Sequence, residues 1–518
     1  WSTQQPFIDV FKTSRLWVGH NEGRWGGTDY HELEAIGVLD KNGWPTEIPD
    51  GLTSIETFIL TELPAEATYA AGTYHLSYEG TGEIQIHGAS NVSYGEGEIT
   101  FDYTPNGGTL VGVQIQETDP QNTGDYIREI KVVHEDNRQA HAEGEIFNPA
   151  WTVLIDDVHA LRFMDWMGTN HSKVSSWEDA TALGHHTYAS AAPVEIMVAL
   201  ANQTGTEPWF TLPYHADPRY IEQFSSYVRD NLDPKLRAHF ELSNEVWNWQ
   251  FKQAQDSQSE AIDRFGVEYS DGWVQNYGAK AAEMAKILDQ IFDGHEDQLV
   301  KVIATQTGWL GLETPILTAP AWQEKGNAPP HESFDTYAIT GYFDGGLGGD
   351  KADTVREWIA QSRVAAQRAA DVQGLSGQAR AAWVEAHQYD EATVLAIQEL
   401  RDGSVTGNNK GSLVALSELF EYHANVAEEY GLDLVMYEGG THIVGIGENL
   451  NDEDLSAFFQ HLNYTEGMGD LYATLLRDWE EAGGSLFNAF VDVSRSGKWG
   501  SWGALRHLND TSARYDAL

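Results

Sequence analysis

The sequence predicts an α/β protein, a (β/α)8 TIM barrel with an additional all-β sandwich domain near the N-terminus. From about residue 146 onward, apolar strand-like runs alternate with helical patterns, which is the order of successive βα units. Before that point, short segments of alternating polarity are separated by Gly, Asn and Pro, which is typical of a sandwich. Two of the later runs also end in a carboxylate, and residues at the C-terminal ends of barrel strands line the active site of such folds.

The βα units predict seven strands, numbered 2 to 8, and the helices between them. The strands are Leu161–Asp165, Pro208–Pro213, Ala238–Ser243, Val300–Thr305, Tyr337–Tyr342, Leu434–Tyr437 and Ser485–Phe490. The helices are Pro193–Gln203, Tyr220–Asn231, Val274–Phe292, Ala352–Gln373, Ser412–Tyr430 and Met468–Ala482. Long loops are expected at 308–333 and 371–411, because the βα units alone are shorter than the chain available to them.

The all-β region predicts strands at 73–78, 83–87, 93–103, 110–115 and 127–133. Strand 1 of the barrel is placed at Trp17–Gly19, which would make the sandwich an insertion between strands 1 and 2. The alternative is a plain N-terminal β domain, with strand 1 at Thr152–Ile155. The predicted domains are residues 1–20 as the start of the barrel, 21–140 as the sandwich and 141–518 as the remainder of the barrel.

The composition excludes several classes of partner. The chain has 31 Lys and Arg against 79 Asp and Glu, a formal net charge of −48. Such an acidic surface repels nucleic acid and anionic membranes, and it suits a saline environment in which salt screens the self-repulsion. Trp, Tyr and Phe make up 11% of the residues, which suits stacking on sugar rings, although most of them will fill the core.

Cysteine use and the ends of the chain bear on where the protein acts. There is no Cys, so disulfides are excluded, and no run of 18 apolar residues predicts a membrane span. The sequence begins at Trp1 rather than Met, which is explained equally well by a removed signal peptide or by trimming. We expect a secreted, extracellular protein. The oligomeric state is left open.

Two segments carry the predicted chemistry. Arg237–Trp249 reads as a buried strand that delivers Asn244 and Glu245, and Gly431–Gly440 as a strand that delivers Glu438. Two glutamates at the ends of barrel strands supply the acid/base and the nucleophile of a glycosidase. The alternative for Glu245 is a surface residue at the start of a helix that Asn244 caps.

These motifs resemble the clan of retaining glycoside hydrolases whose catalytic glutamates lie on barrel strands 4 and 7, the clan A type. Val246 follows the acid where that clan often has proline, and no single family is identified. The resemblance implies that Glu245 is the acid/base and Glu438 the nucleophile. It also implies that Asn244 binds the sugar 2-hydroxyl and that Arg162 and Tyr342 contact Glu438. An ion pair in the core is the alternative for Arg162, and core packing is the alternative for Tyr342.

Further side chains near the strand ends are candidates for substrate binding. Trp499 or Trp502, after strand 8, would form the floor of the subsite at the cleaved bond. The others are His215, Trp247 and His442. For each lone His or Trp, packing without substrate contact is an equally good interpretation.

No cofactor is required by this chemistry. Asp40–Gly43 and Asp119–Asp125 could bind a structural calcium ion through oxygen ligands, but such runs more often form simple turns. There is no Gly-x-Ser-x-Gly, phosphate-loop or His-Glu-x-x-His motif. A metal-dependent hydrolase is disfavoured because no His-x-His ends a plausible first strand.

The function predicted from the sequence is a secreted, retaining endo-β-glycanase that hydrolyses a polysaccharide, with a cellulose-like β-glucan favoured. One alternative is a non-catalytic polysaccharide-binding protein on a glycosidase scaffold. Another is an exo-acting, galactan-specific or xylan-specific glycosidase. Mannan is a further candidate substrate. The sandwich at 21–140 is expected to resemble a carbohydrate-binding domain.

Overall fold

The computed structural model describes residues 3–95, 97–266 and 270–518. Their strands are β1 (Val18–Asn21), β2 (Gly27–Thr28), β3 (Leu52–Ile59), β4 (Gly72–Glu79), β5 (Gly82–His87), β6 (Ser90–Tyr94), β7 (Glu98–Tyr103), β8 (Val111–Thr118), β9 (Arg128–His134), β10 (Ala160–Arg162), β11 (Glu207–Leu212), β12 (Ala238–Leu242), β13 (Leu299–Ala304), β14 (Thr336–Phe343), β15 (Asp433–Thr441) and β16 (Leu486–Ala489).

Helices connect most of the later strands. They are α1 (Tyr30–Ala35), α2 (Arg138–Ala142), α3 (Pro149–Thr152), α4 (Val194–Thr204), α5 (Pro218–Asn231), α6 (Lys252–Phe265), α7 (Gly272–Ile291), α8 (Glu313–Thr318), α9 (Pro320–Gln323), α10 (Ala352–Val372), α11 (Gly377–His387), α12 (Asp390–Asp402), α13 (Leu413–Tyr430), α14 (Glu453–Leu462), α15 (Glu466–Glu481) and α16 (Ala513–Ala517).

The chain forms two compact units. The first runs from the start of the chain through Asp256 and also includes Glu283–Val300 and His507–Asn509. The second consists of Ser257–Ala282, Lys301–Arg506 and Asp510–Leu518. The predicted domain division at residue 140 stays a prediction.

The first unit contains two antiparallel sheets, with strand orders β2-β1-β3-β8-β5 and β6-β7-β4-β9. Alternate residues of both sheets point into one buried hydrophobic cluster, to which Ile55 and Val113 contribute from one sheet and Leu76 and Phe101 from the other. This arrangement explains the alternation of apolar and polar residues in the sequence, because successive residues of a strand point to opposite faces of the sheet. The region thus contains separate antiparallel sheets, although α1 also lies within it, and the sandwich domain stays a prediction.

The predicted position of barrel strand 1 is wrong. Trp17–Gly19 leads into β1, which pairs antiparallel with β2 and β3. Trp17 is fully buried in the hydrophobic cluster of the two antiparallel sheets. The alternative position, Thr152–Ile155, is also wrong, because Pro149–Thr152 forms helix α3 after its N-cap Asn148. Runs of three or four residues do not reveal their pairing partner, and this is why strand 1 was misplaced.

The other seven predicted barrel strands are present as parallel strands. In the first unit, β11 pairs with β10 and with β12. In the second unit, β14 pairs with β13 and β15, and β15 pairs with β16. Within each unit the strands are neighbours in chain order, and helices precede most of them, as βα units require. The seven strands in the described ranges confirm the α/β class, and an eighth barrel strand stays a prediction.

Two of the predicted long loops are partly helical. The segment 371–411 contains α11 and α12, and 308–333 contains α8 and α9. Residues 377–387 and 390–402 are rich in Ala, Glu, Gln and Arg, which are strong helix formers. Their helical propensity was the signal that the prediction left unused.

No helix in the described part of the chain combines the length and the apolar character needed to cross a membrane.

The ion pairs of Glu207, at the start of β11, make the stability of the first unit dependent on pH. Its carboxylate lies 2.9 Å from Arg237 Nε and 2.8 Å from His239 Nε2. Burial alone would raise the pKa of Glu207, but hydrogen bonds from His239 and Arg237 outweigh burial and lower the pKa to about 2. A carboxyl group whose pKa is lower in the folded state than in the unfolded state stabilises the fold at pH values above the unfolded-state pKa. That stabilisation is lost as the pH falls toward 2.

We expect Glu207→Gln to lower the free energy of unfolding by about 1–2 kcal/mol at pH 7, a value reduced for solvent screening. The difference from the wild type should shrink as the pH falls from 4.5 toward 2. Urea titrations at several pH values measure this difference in the free energy of unfolding. Glu222→Gln, on the exposed face of α5, is the control. An equal loss at pH 7 and pH 2.5 would contradict the ion-pair explanation.

Candidate active site

Glu245 lies just beyond the C-terminal end of β12, on a strained turn. The backbone N–H of Ser243 donates to the carbonyl of Leu212 at 2.7 Å, which extends the sheet by one residue. Ser243 and Glu245 then have φ values of 64° and 43°. Residues other than glycine rarely adopt this left-handed backbone conformation, and such strain is concentrated at functional sites. The strained turn therefore marks Asn244 and Glu245 as functional candidates on grounds independent of the motif.

Asn244 is held from three directions, and 2% of its surface is exposed. Arg162 Nη2 donates to its Oδ1 at 2.9 Å, and its own Nδ2 donates to Asn170 Oδ1 at 3.1 Å. Gln253 Nε2 donates both to the Asn244 carbonyl, at 2.8 Å, and to Asn170, at 3.0 Å. This network fixes the orientation of the Asn244 amide, so the side chain does more than cap a helix.

Arg162 forms a buried ion pair with a residue that the sequence analysis missed. Its Nε and Nη2 donate to Glu241 Oε2 at 3.1 and 2.9 Å, and Trp209 Nε1 donates to the same oxygen at 2.9 Å. Burial raises the pKa of Glu241 despite the positive charge and hydrogen bonds of Arg162, and the charge of Glu245 raises it further. A glutamate in the middle of a fully buried strand was the signal that could have identified it.

The carboxylate of Glu245 has a partner of its own. Asn248 Nδ2 donates to Glu245 Oε2 at 2.9 Å, and the backbone N–H of Asn248 donates to the Glu245 carbonyl at 2.8 Å. Trp247, between them, is 4% exposed, so packing accounts for most of its surface. Trp249 is 46% exposed. Trp247 was predicted to bind substrate, but the more exposed of the two rings is Trp249.

His215 follows β11 and is part of a charged pair. Its Nε2 lies 3.0 Å from Asp256 Oδ2, and Lys252 Nζ also bonds this carboxylate. Burial alone would raise the pKa of Asp256, but hydrogen bonds from Lys252 and His215 outweigh it and lower the pKa. A role for His215 in binding sugar hydroxyls stays a prediction.

Glu438, in the second unit, lies near the end of β15, and 9% of its surface is exposed. It is paired in register with Thr340 on β14, two residues before Tyr342. The Tyr342 hydroxyl donates to Glu438 Oε2 at 3.0 Å. This hydrogen bond between neighbouring parallel strands is the contact that the resemblance implies for these two residues.

Aromatic rings surround Tyr342. His442 and Trp502 lie edge-on to it, with ring centroids at 5.8 and 6.1 Å, and to each other at 5.1 Å. Phe490 contacts Trp502 at 5.7 Å. Trp502 Nε1 donates to the carbonyl of Trp499, whose ring is 65% exposed. The second unit therefore brings Glu438, Tyr342, His442 and Trp502 together, with Trp499 beside them.

The glycines after Glu438 are required by close packing. A Cβ on Gly439 would lie 2.5 Å from Met436 Sδ, and one on Gly440 would lie 2.5 Å from Tyr472 Oη. Gly440 also has a φ of 133°, which side chains rarely adopt. The pair lets β15 run on to Thr441, whose N–H donates to Tyr472 Oη at 3.0 Å.

The two candidate calcium loops use their carboxylates as backbone acceptors. Asp40 Oδ1 accepts from the N–H groups of Asn42 and Trp44, and Asp119 accepts from those of Thr123 and Gly124. These are Asx-type turns, the alternative that the sequence left open. No cluster of three or more His, Asp or Glu side chains that could hold a metal occurs in the described ranges.

Comparisons with known proteins give only distant similarity. No family model matches the sequence, and no curated protein matches it. Among solved structures, a fungal β-1,4-galactanase is similar with a TM-score of 0.31 and 10% identity, over 72% of this chain and 92% of that one. The β-glucuronidase of Bacteroides uniformis is similar with a TM-score of 0.30 and 9% identity, over 89% of this chain and 46% of that one. A calcium-binding mutant of β-glucuronidase 2 from the same organism gives 0.30 and 8%, with the same coverage.

Proposed function

We propose that the chain is a retaining glycoside hydrolase that cleaves β-glycosidic bonds of a polysaccharide by double displacement. Glu438 is the nucleophile and Glu245 the acid/base. The observation that carries the proposal is the hydrogen bond from Tyr342 to Glu438 near the C-terminal ends of adjacent parallel strands, within a group of aromatic rings. A buried carboxylate held by a phenol, next to an apolar surface for a sugar ring, suits attack on an anomeric carbon.

The surroundings of Glu438 suit the first step. The Tyr342 hydroxyl holds the carboxylate in one orientation, so an oxygen is positioned before the substrate arrives. In that step, an oxygen of Glu438 forms a bond to the anomeric carbon while the bond to the leaving oxygen breaks. The edge-on rings of His442 and Trp502 stiffen Tyr342 itself.

The surroundings of Glu245 suit proton transfer. Asn248 holds one carboxyl oxygen, and the proposal assigns the proton for the leaving oxygen to this carboxyl group. In the second step Glu245 accepts a proton from water, whose oxygen forms a bond to the anomeric carbon while the bond from that carbon to Glu438 breaks. Asn244 Nδ2 carries two hydrogens, one of which is donated to Asn170, and the proposal assigns the other to a hydroxyl of the sugar.

The substrate proposed is a neutral β-glucan of the cellulose type, cleaved internally by a secreted enzyme. The net charge of −48 disfavours a sulfated or uronate-rich chain. Trp499 is 65% exposed beside Trp502, which provides an apolar ring surface for a sugar. Galactan, xylan and mannan are the next substrates to test.

A screen for released reducing sugars across neutral polysaccharides tests the proposal. We expect release from at least one β-linked polymer, a rapid fall in viscosity from internal cleavage, and a first product of retained anomeric configuration by NMR. Release of an inverted product would reject double displacement. Tight binding without any release would instead favour the non-catalytic polysaccharide-binding protein.

Tyr342→Phe tests the observation that carries the proposal. Because a hydrogen bond to a charged group contributes about 1.5–3 kcal/mol, we expect kcat to fall by about 10- to 100-fold. Tyr337→Phe is the matched control. It removes a hydroxyl that contacts His423 at 2.8 Å from the same strand, and it should leave kcat within about twofold. An unchanged kcat for Tyr342→Phe, with the melting temperature also unchanged, would contradict the role of Tyr342.

A further inference from the structure

The sheet β2-β1-β3-β8-β5 has an outer face that points away from the hydrophobic cluster. On β3, Ile55 and Ile59 belong to the cluster, so Ser54, Glu56 and Phe58 point outward. On β8, Val111, Val113 and Ile115 belong to the cluster, so Gly112, Gln114 and Gln116 point outward. On β5 the outward residues are Gln85 and His87. This surface is called the outer face below.

The strand register aligns these side chains into rows. Glu56 on β3 is paired with Gln114 on β8, which is paired with Gln85 on β5. In the next row, Phe58 is paired with Gly112, which is paired with His87. Directly paired residues of antiparallel strands point to the same side, so each row runs across three strands.

The polar side chains of the outer face are held by one another. Gln114 Nε2 donates to Ser54 Oγ at 2.8 Å. Gln114 Oε1 lies 3.0 Å from His87 Nε2 and accepts from Gln116 Nε2 at 3.2 Å. Gln116 also bonds Gln85. Fixed amides and an imidazole form a preorganised set of donors and acceptors, which lowers the entropy lost on binding.

An exposed tryptophan lies at one end of these rows of side chains on the outer face. Trp25 is 71% exposed and contacts the rings of His20 and Phe58, with centroids at 5.4 and 6.2 Å. The N–H of Gly26 donates to His20 Nδ1 at 2.7 Å, and His20 Nε2 lies 2.7 Å from Glu56 Oε2. The loop that carries Trp25 is therefore tied to the sheet through a buried pair, and the indole is presented to solvent in a fixed position.

Gly112 leaves space in the middle of the outer face. A Cβ at this position would lie 2.1 Å from Glu56 Oε1, so the glycine gives room to that carboxylate. A glycine inside a strand often marks a close approach of this kind. Glu56, which is 3% exposed, sits between the tryptophan and the amides.

We propose that the outer face binds a neutral glycan chain, with Trp25 stacking on one sugar ring and Gln85, His87, Gln114 and Gln116 bonding the hydroxyls of others. From β1 to β5 there are three inter-strand steps of about 4.8 Å, or roughly 14 Å, which is enough for several sugar rings. This is a second binding site, additional to the proposed hydrolytic residues, and it does not depend on hydrolysis.

Charge and polarity favour this occupant over others. Exposed Glu83 and Glu117 flank the amides, and the chain carries a net charge of −48, so polyanions are repelled. A protein partner would need an apolar centre, whereas the exposed side chains between Trp25 and the far strand are amides and an imidazole. One exposed ring beside hydrogen-bonding groups matches a sugar, which has apolar ring faces and polar edges.

Native affinity electrophoresis of the full chain at low temperature tests the proposal. The gels contain mixed-linkage β-glucan, β-1,4-galactan, xylan or galactomannan. Sulfated carrageenan is the anionic polymer used for comparison. We expect at least one neutral polymer to retard the protein. Trp25→Ala should weaken that retardation about tenfold or more, and Gln114→Ala should weaken it severalfold. Trp25→Phe, which keeps a ring, should stay within about threefold.

Two controls separate binding from general damage. Val153→Ala removes a side chain that is 60% exposed in the same unit, and Thr100→Ala changes the other antiparallel sheet. Both should migrate as the wild type does. No retardation by any neutral polymer, equal retardation of Trp25→Ala and the wild type, or stronger retardation by carrageenan would overturn the proposal. Because migration reports binding alone, these results hold whether or not the chain hydrolyses a glycan.

Discussion

Replacing Glu438 by Ala is expected to lower kcat by about four orders of magnitude or more, because no glycosyl-enzyme can form without the attacking carboxylate. Glu438→Gln should lose activity to the same degree while keeping the shape of the side chain and the bond from Tyr342. An activated 2-fluoro glycoside should label the wild type covalently at Glu438, as seen by mass spectrometry of the digested protein. Neither variant should be labelled.

The control for this experiment is Asp433→Ala, which removes an exposed carboxylate from the first residue of the same strand. It should keep full activity and full labelling. Added azide should not restore a product of retained configuration to Glu438→Ala, because retention requires the covalent intermediate. Labelling of a different carboxylate in the wild type would reject Glu438 as the nucleophile.

The strands that the sequence predicted correctly are those whose burial leaves a clear signal. β11 and β12 are buried at every position, and burial on both faces is typical of parallel strands. β10 ends at Arg162, earlier than the predicted Asp165, because the chain turns from Met164 onward, where the N–H of Met167 donates to the carbonyl of Phe163. Strand ends depend on such local hydrogen bonds, which periodicity does not encode.

The candidate site was predictable where a motif combined residue type with position. Glu438 and Tyr342 lie on adjacent strands, and the contact between them was expected from the resemblance to the clan A type. The network of Asn170 and Gln253 around Asn244 was not predictable in this way. Asn170 and Gln253 come from segments far apart in the sequence, and only the folded chain brings their amides to Asn244. Asn170 lies in a loop and Gln253 in the first turn of α6, and a single polar residue in either place carries no periodic signal.

Replacing Glu245 by Ala is expected to have an effect that depends on the leaving group. Substrates with poor leaving groups, including the polysaccharide, should lose about 10²- to 10⁴-fold in kcat/KM, since their departing oxygen needs a proton. Aryl glycosides with acidic phenols should change by less than about tenfold, because their departing oxygen does not need one. Initial rates across a series of aryl glycosides measure this dependence as a slope against the pKa of the phenol.

Azide distinguishes the role of Glu245 from that of Glu438. In Glu245→Ala the glycosyl-enzyme still forms, so azide should attack it and release a glycosyl azide of retained configuration. Glu222→Ala, which removes an exposed carboxylate on α5, is the control. It should show neither the changed dependence of rate on the pKa of the phenol nor the azide product. If Glu245→Ala lost activity equally on good and poor leaving groups, the residue would hold the substrate or the turn rather than transfer a proton. Its φ of 43° would then be a feature of the loop alone.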